Sequence, residues 1–118
     1  MMIVCSKHGM QNADYTCPLI HRSIIENLAV KEELFAVRMY VDLLEKNFEF
    51  WSDYDFVKSL DMLHERKGSS ILMEDLSDEK YGDVFGRIKG VCKECYAEFL
   101  AKNNLLQADE AYKQNPVV

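Results

Sequence analysis

Cys5 and His8 form a C-x-x-H pair near the start of the chain, and Cys92 and Cys95 form a C-x-x-C pair near its end. Thiolate and imidazole are soft or borderline ligands, and the two pairs together supply the four that a tetrahedral zinc ion takes. One ion accounts for all four residues. The C-x-x-C pair taken alone would suit a redox dithiol equally well. A catalytic zinc keeps one position open with a carboxylate base nearby, whereas four Cys/His ligands close the shell. The spacing therefore predicts a structural zinc held by Cys5, His8, Cys92 and Cys95.

The remaining candidates read less sharply. Cys17 reads first as a small buried hydrophobe. His21 follows it by four residues, so on a helix the two would share a face, and both are additional candidate ligands. His64 stands beside Glu65-Arg66-Lys67 and reads as a solvated side chain. No H-E-x-x-H, H-x-E…P-C-x-x-C, P-loop, G-x-G-x-x-G or G-x-S-x-G pattern occurs in the sequence. The expectation is a protein that is not an enzyme.

The ligands need elements to hold them. Met2-Ile3-Val4, the turn Lys7-His8-Gly9 and the returning Tyr15-Thr16-Cys17 predict a hairpin over residues 1–17. Pro18 can open a helix across Leu19–Leu28. Residues Lys31–Lys46 lack Gly and Pro and are rich in good helix formers, which predicts a helix, although part of the pattern alternates. Phe48–Trp51 reads as an alternative strand. Ser52 and Asp55 resemble a capping box opening a helix through Phe56, Val57, Leu60 and Leu63, stopped by Gly68. Ser69–Met73 reads as a short strand or loop, and Ser77–Gly90 as a polar stretch. A final helix should start at Cys95, cover Tyr96–Lys102 and run on towards Lys113. At a helix start, unpaired N–H groups and the dipole should favour thiolates at Cys92 and Cys95.

One hairpin pair plus one helix-start pair resembles the ligand layout of treble-clef zinc domains, over about twenty-five residues of this chain. The full signature, Cys5-x-x-His8-Gly9, Cys17-Pro18 and Cys92-x-x-Cys95, resembles small uncharacterised bacterial proteins of zinc-ribbon type. The resemblance implies a zinc-ribbon-like module and no particular activity.

At 118 residues and 48% apolar composition, the chain fits one folded domain, 1–118. The expected class is α+β, mostly helical, with the N-terminal hairpin knuckle tied to the C-terminal C-x-x-C helix. No apolar stretch approaches a membrane span, and the first residues lack a signal-peptide pattern, which predicts a cytoplasmic protein. Net charge is −6, which argues against a direct nucleic-acid binder. Residues 42–83 hold twelve acidic and five basic side chains, a net of −7, so this insert carries the whole excess. Trp51, Asp53, Tyr54, Asp55 and Phe56 interleave aromatic anchors with acids and are the expected binding surface for a basic protein partner. Two other readings are an inhibitor or immunity protein neutralising a basic, nucleic-acid-acting enzyme, and a thiol–disulfide or redox-sensing protein using the C-x-x-C pair.

Overall fold

A short hairpin opens the chain because a β-branched run meets a glycine that can turn left-handed. Strand β1, Met2–Cys5, pairs antiparallel with β2, Gly9–Thr16, and Gly9 takes φ +74° where the chain reverses. The computed structural model describes residues 2–41, 45–60, 64–73 and 78–117. Helix α1, Pro18–Glu26, follows with its proline at the first turn and ends on Asn27 in the left-handed region.

The next segment departs from the sequence expectation. Leu34–Val41 is strand β3, not part of a helix over Lys31–Lys46. Phe35, Ala36 and Val37 are buried in succession, as in a central strand covered on both faces. Those packing partners outweigh the helix propensity of the flanking Leu, Glu and Ala. Strand β4, Lys46–Asp53, pairs with β3 along its whole length. The strand reading of Phe48–Trp51 is therefore right and short by a few residues at each end.

Helix α2 spans only Tyr54–Ser59. Its cap residue is Asp53, which makes no side-chain capping bond, and the Ser52 hydroxyl donates to Asp53 O instead of opening a capping box. Leu60 ends the helix, and Leu63 lies outside the described residues. The sequence reading took Gly68 for a helix stop; it is the turn between strands β5, His64–Lys67, and β6, Ser70–Met73. There φ is +56°, and a Cβ would clash with the side-chain amide of Asn115, whose Nδ2 donates to Lys67 O. Asp78–Arg87, inside the polar stretch, is helix α3. Strand β7, Lys89–Cys92, leads directly into α4, Lys93–Lys102, which does not run on towards Lys113 as expected but ends before a separate helix, α5, Ala108–Gln114.

The strands form two sheets, ordered β1-β2-β7 and β4-β3-β6-β5, with β3 and β6 parallel. Among the described residues helix and strand contribute 40% and 37%, so the fold is α+β but not mostly helical. The excess of helix expected from propensity came from reading β3 and β5 as helical, whereas β6 falls where a short strand or loop was expected.

The sheets meet through aromatic and polar contacts. Thr16 Oγ1 donates to Trp51 O at 3.3 Å, Tyr15 stands against Phe48, and the Trp51 indole N–H donates to Leu106 O at 2.9 Å. Around them Ile20, Phe35, Val37, Met39, Phe50, Val57, Ile71, Met73 and Val84 fill one continuous core. That core fixes β2 and β7 as neighbours, with Ala13 opposite Cys92, and so brings the two ends of the chain together. Among the described residues, no helix is long and apolar enough to cross a membrane.

Candidate metal centre

Cys5 ends β1, and His8 sits in the turn before Gly9. The backbone N–H groups of Lys7 and His8 point at the Cys5 sulfur, and these bonds lower its thiol pKa to about 6. Cys92 ends β7 and caps α4, whose first turn carries Cys95. The β2–β7 pairing delivers this second pair to the first.

The four ligand atoms lie within 4.8 Å of one another and could hold a metal ion. Cys5 Sγ is 3.6 Å from Cys95 Sγ. His8 Nδ1 is 3.6 Å from Cys5 Sγ, 3.6 Å from Cys92 Sγ and 3.4 Å from Cys95 Sγ. One imidazole nitrogen thus faces three sulfurs at nearly equal range. Cys92 is buried, while Cys5, His8 and Cys95 are half-buried.

The helix-start argument predicted a thiolate at Cys95, and here the balance goes the other way. Burial first, then hydrogen bonds from Cys5 and Cys92, push the Cys95 thiol up to about 12. Sulfurs packed this closely cannot all carry negative charge without a cation among them, and the helix dipole is too weak to reverse that. A bound dication removes the obstacle, because coordination deprotonates thiols outright.

His8 is held from its other side. Its Nε2 lies 2.9 Å from Glu98 Oε1 on α4. Lys7 Nζ donates to both oxygens of the same carboxylate, at 3.1 and 2.9 Å, and this hydrogen bond keeps the Glu98 carboxyl below its usual pKa. Sequence reasoning missed Glu98 and Lys7. The signal was present: Glu98 follows Cys95 by three residues on one helix face, and Lys7 adjoins His8. A groove of about 630 Å³ between α1 and α4 runs up to this edge, where Lys7, Cys95 and Glu98 line it.

The additional candidate ligands stay apart from the cluster. Cys17 is fully buried in the core, where burial raises its thiol pKa. His21 is half-buried on α1, its backbone N–H donating to Cys17 O. Among the described residues, neither joins the group of four. The side chain of His64 lies outside the described residues.

The expected partner surface is divided. Trp51 and Phe56 are buried, at 4% and 6% exposure, with the Phe56 ring edge-on to Phe50. They belong to the core and offer no anchor to a partner. Asp53 is half-buried at the start of α2, while Tyr54 and Asp55 are exposed. Alternation of aromatic and acidic residues looked like a hot spot; instead the buried end of β4, Phe50 to Ser52, runs into α2, which buries Phe56 and exposes Tyr54 and Asp55.

Comparison of the chain with protein-family models, with curated proteins and with solved structures finds no match to any of them.

Proposed function

We propose that this protein is a non-catalytic interaction module braced by a structural zinc ion on Cys5, His8, Cys92 and Cys95. The observation that carries the zinc is metric. Tetrahedral coordination at about 2.3 Å to sulfur and about 2.05 Å to nitrogen requires S···S near 3.8 Å and S···N near 3.55 Å, about the ranges that these side chains keep. Distances of 3.6 Å for the Cys5–Cys95 sulfur pair and 3.4–3.6 Å for the three sulfur–nitrogen pairs support that shell. Three thiolates and one imidazole suit zinc over harder cations such as magnesium or calcium. They also fill four positions, which leaves no open site for a substrate or activated water.

When bound, the ion supplies a clamp. It would join the hairpin turn to the start of α4 across 84 to 90 residues of chain. The acidity of residues 42–83 supports a basic protein partner, with Tyr54 and Asp55 in place of the buried aromatics at the contact. A cytoplasmic location fits four cysteines kept as free thiols or thiolates.

Cobalt substitution tests the centre directly. Titration of metal-free protein should give the intense visible bands of a tetrahedral ion and sulfur-to-cobalt charge transfer, saturating at one equivalent and displaced by zinc. A pale octahedral spectrum, or saturation below half an equivalent, would overturn the reading.

A further inference from the structure

Resting on that metal reading, we propose that Glu98 is a positioning residue of the centre. It fixes His8 in the tautomer that leaves Nδ1 free for the ion and, with Lys7, holds the turn against α4 before the ion arrives.

A neutral imidazole carries one proton, and an ionised carboxylate only accepts. His8 Nε2 stands 2.9 Å from Glu98 Oε1, so the proton belongs on Nε2 and the Nδ1 lone pair faces the three sulfurs. The opposite tautomer would set two lone pairs against each other at the carboxylate. A carboxylate behind a ligating imidazole also makes the ring a better donor and fixes its plane.

The carboxylate is itself held. Lys7 bonds both of its oxygens, and Lys7 is the neighbour of His8 while Glu98 shares a helix face with Cys95. The same two segments that the ion would join, turn and helix, are therefore already tied by side chains. Three thiolates around a dication carry a net charge of −1, and the Lys7 ammonium sits where it offsets that charge. Glu98 is half-exposed, with 45% of its side chain open, so the contribution is to orientation and not to a buried ion pair.

The test measures zinc affinity, by competition with a chromophoric chelator, for wild-type, Glu98→Ala and Glu98→Gln proteins. Long-range proton–nitrogen spectra of the metal-free forms report the His8 tautomer. Glu98→Ala should bind zinc ten- to a hundredfold more weakly, with an unaltered cobalt spectrum because the ligands are the same. Its metal-free His8 should change from the Nε2–H form to a mixture. Glu98→Gln, whose amide oxygen still accepts from Nε2, should fall between the two. If Glu98 were mere surface glue, the substitutions would lower the melting temperature and leave the tautomer alone. Wild-type protein that takes up zinc, with Glu98→Ala within twofold of it and the tautomer unmoved, overturns this inference alone. Wild-type protein that takes up no zinc overturns the metal reading, and this inference with it.

Discussion

His8 Nδ1 stands 3.4 Å from Cys95 Sγ, although 87 positions separate the two residues in the chain. An ion bound by these residues would also close a loop containing nearly the whole domain. Its binding free energy then becomes part of the folding free energy. At a thousandfold excess of free zinc over Kd the gain is about 4 kcal/mol, which for a chain of this size corresponds to roughly 15 °C in melting temperature. Chelation, or Cys92→Ser, should lower the calorimetric midpoint by about that much and broaden the transition. Cys17→Ala should leave zinc content at one equivalent while costing stability through a small core cavity. Equal midpoints with and without chelator would place the ion outside the fold's stability.

Metal-free protein should show a graded thiol reactivity. The Cys5 sulfur receives the backbone N–H groups of Lys7 and His8, and its pKa of about 6 makes it a thiolate at neutral pH. A lowered pKa means that reactivity is present above pH 6 and is lost as pH falls through it. Burial and neighbouring sulfurs hold Cys95 protonated up to about 12. Alkylation with iodoacetamide at pH 7, read by peptide mass mapping, should mark Cys5 before Cys95, and Cys17 last because it is fully buried. Zinc should protect Cys5, Cys92 and Cys95 together. Modification of Cys95 ahead of Cys5 would contradict the geometry of the turn.

The sequence carried the centre more legibly than the fold around it. C-x-x-H with Gly9 and C-x-x-C before a helix are local patterns, set by turn geometry and ligand chemistry within four residues, and the structure brings all four residues to one point. The hairpin and α1 were legible for the same reason, since Gly9 and Pro18 act on their own neighbours. Strand β3 was not, because its identity comes from β4 and β6 on its two sides, and no window of its own residues contains them. The role of Trp51 was illegible in the same way. An aromatic among acids looks like a surface anchor until Leu106, 55 residues on, is found accepting its indole proton.

That bond yields a stability prediction where the sequence had suggested a binding one. Trp51 is buried, and its indole N–H donates to Leu106 O in the loop between α4 and α5. Trp51→Ala removes a large side chain from a packed interior and leaves a carbonyl without its donor, at a cost of about 3–5 kcal/mol. Urea denaturation followed by far-ultraviolet circular dichroism should show the midpoint falling by more than a third, or no folded baseline at all. Trp51→Phe should recover most of the packing and not the hydrogen bond, and so lie between. A change below 1 kcal/mol would put the indole back at the surface.

The acidity of residues 42–83 leads to a kinetic prediction that keeps stability and recognition apart. If a basic protein is the partner, the net charge of −7 on residues 42–83 would steer its approach. Steering of this kind acts before contact, so it appears in the association rate and fades as salt shortens the Debye length from about 10 Å at 0.1 M to about 3 Å at 1 M. Asp55 on α2 and Asp83 on α3 are both exposed, and Arg87 of α3 donates to Ser59 of α2, which keeps the two helices adjacent. Asp55→Lys with Asp83→Lys should therefore slow association with a basic partner about tenfold at low salt and hardly at all at high salt. Tyr54→Ala should instead speed dissociation, because an aromatic side chain at the contact is desolvated only after docking. Neither substitution touches Cys5, His8, Cys92 or Cys95, so zinc content should stay at one equivalent and serve as the control for folding. Surface plasmon resonance against a basic protein captured by co-purification, at two salt concentrations, separates these terms. An association rate indifferent to both salt and charge reversal would leave the acidity a matter of solubility and remove the support for a basic partner.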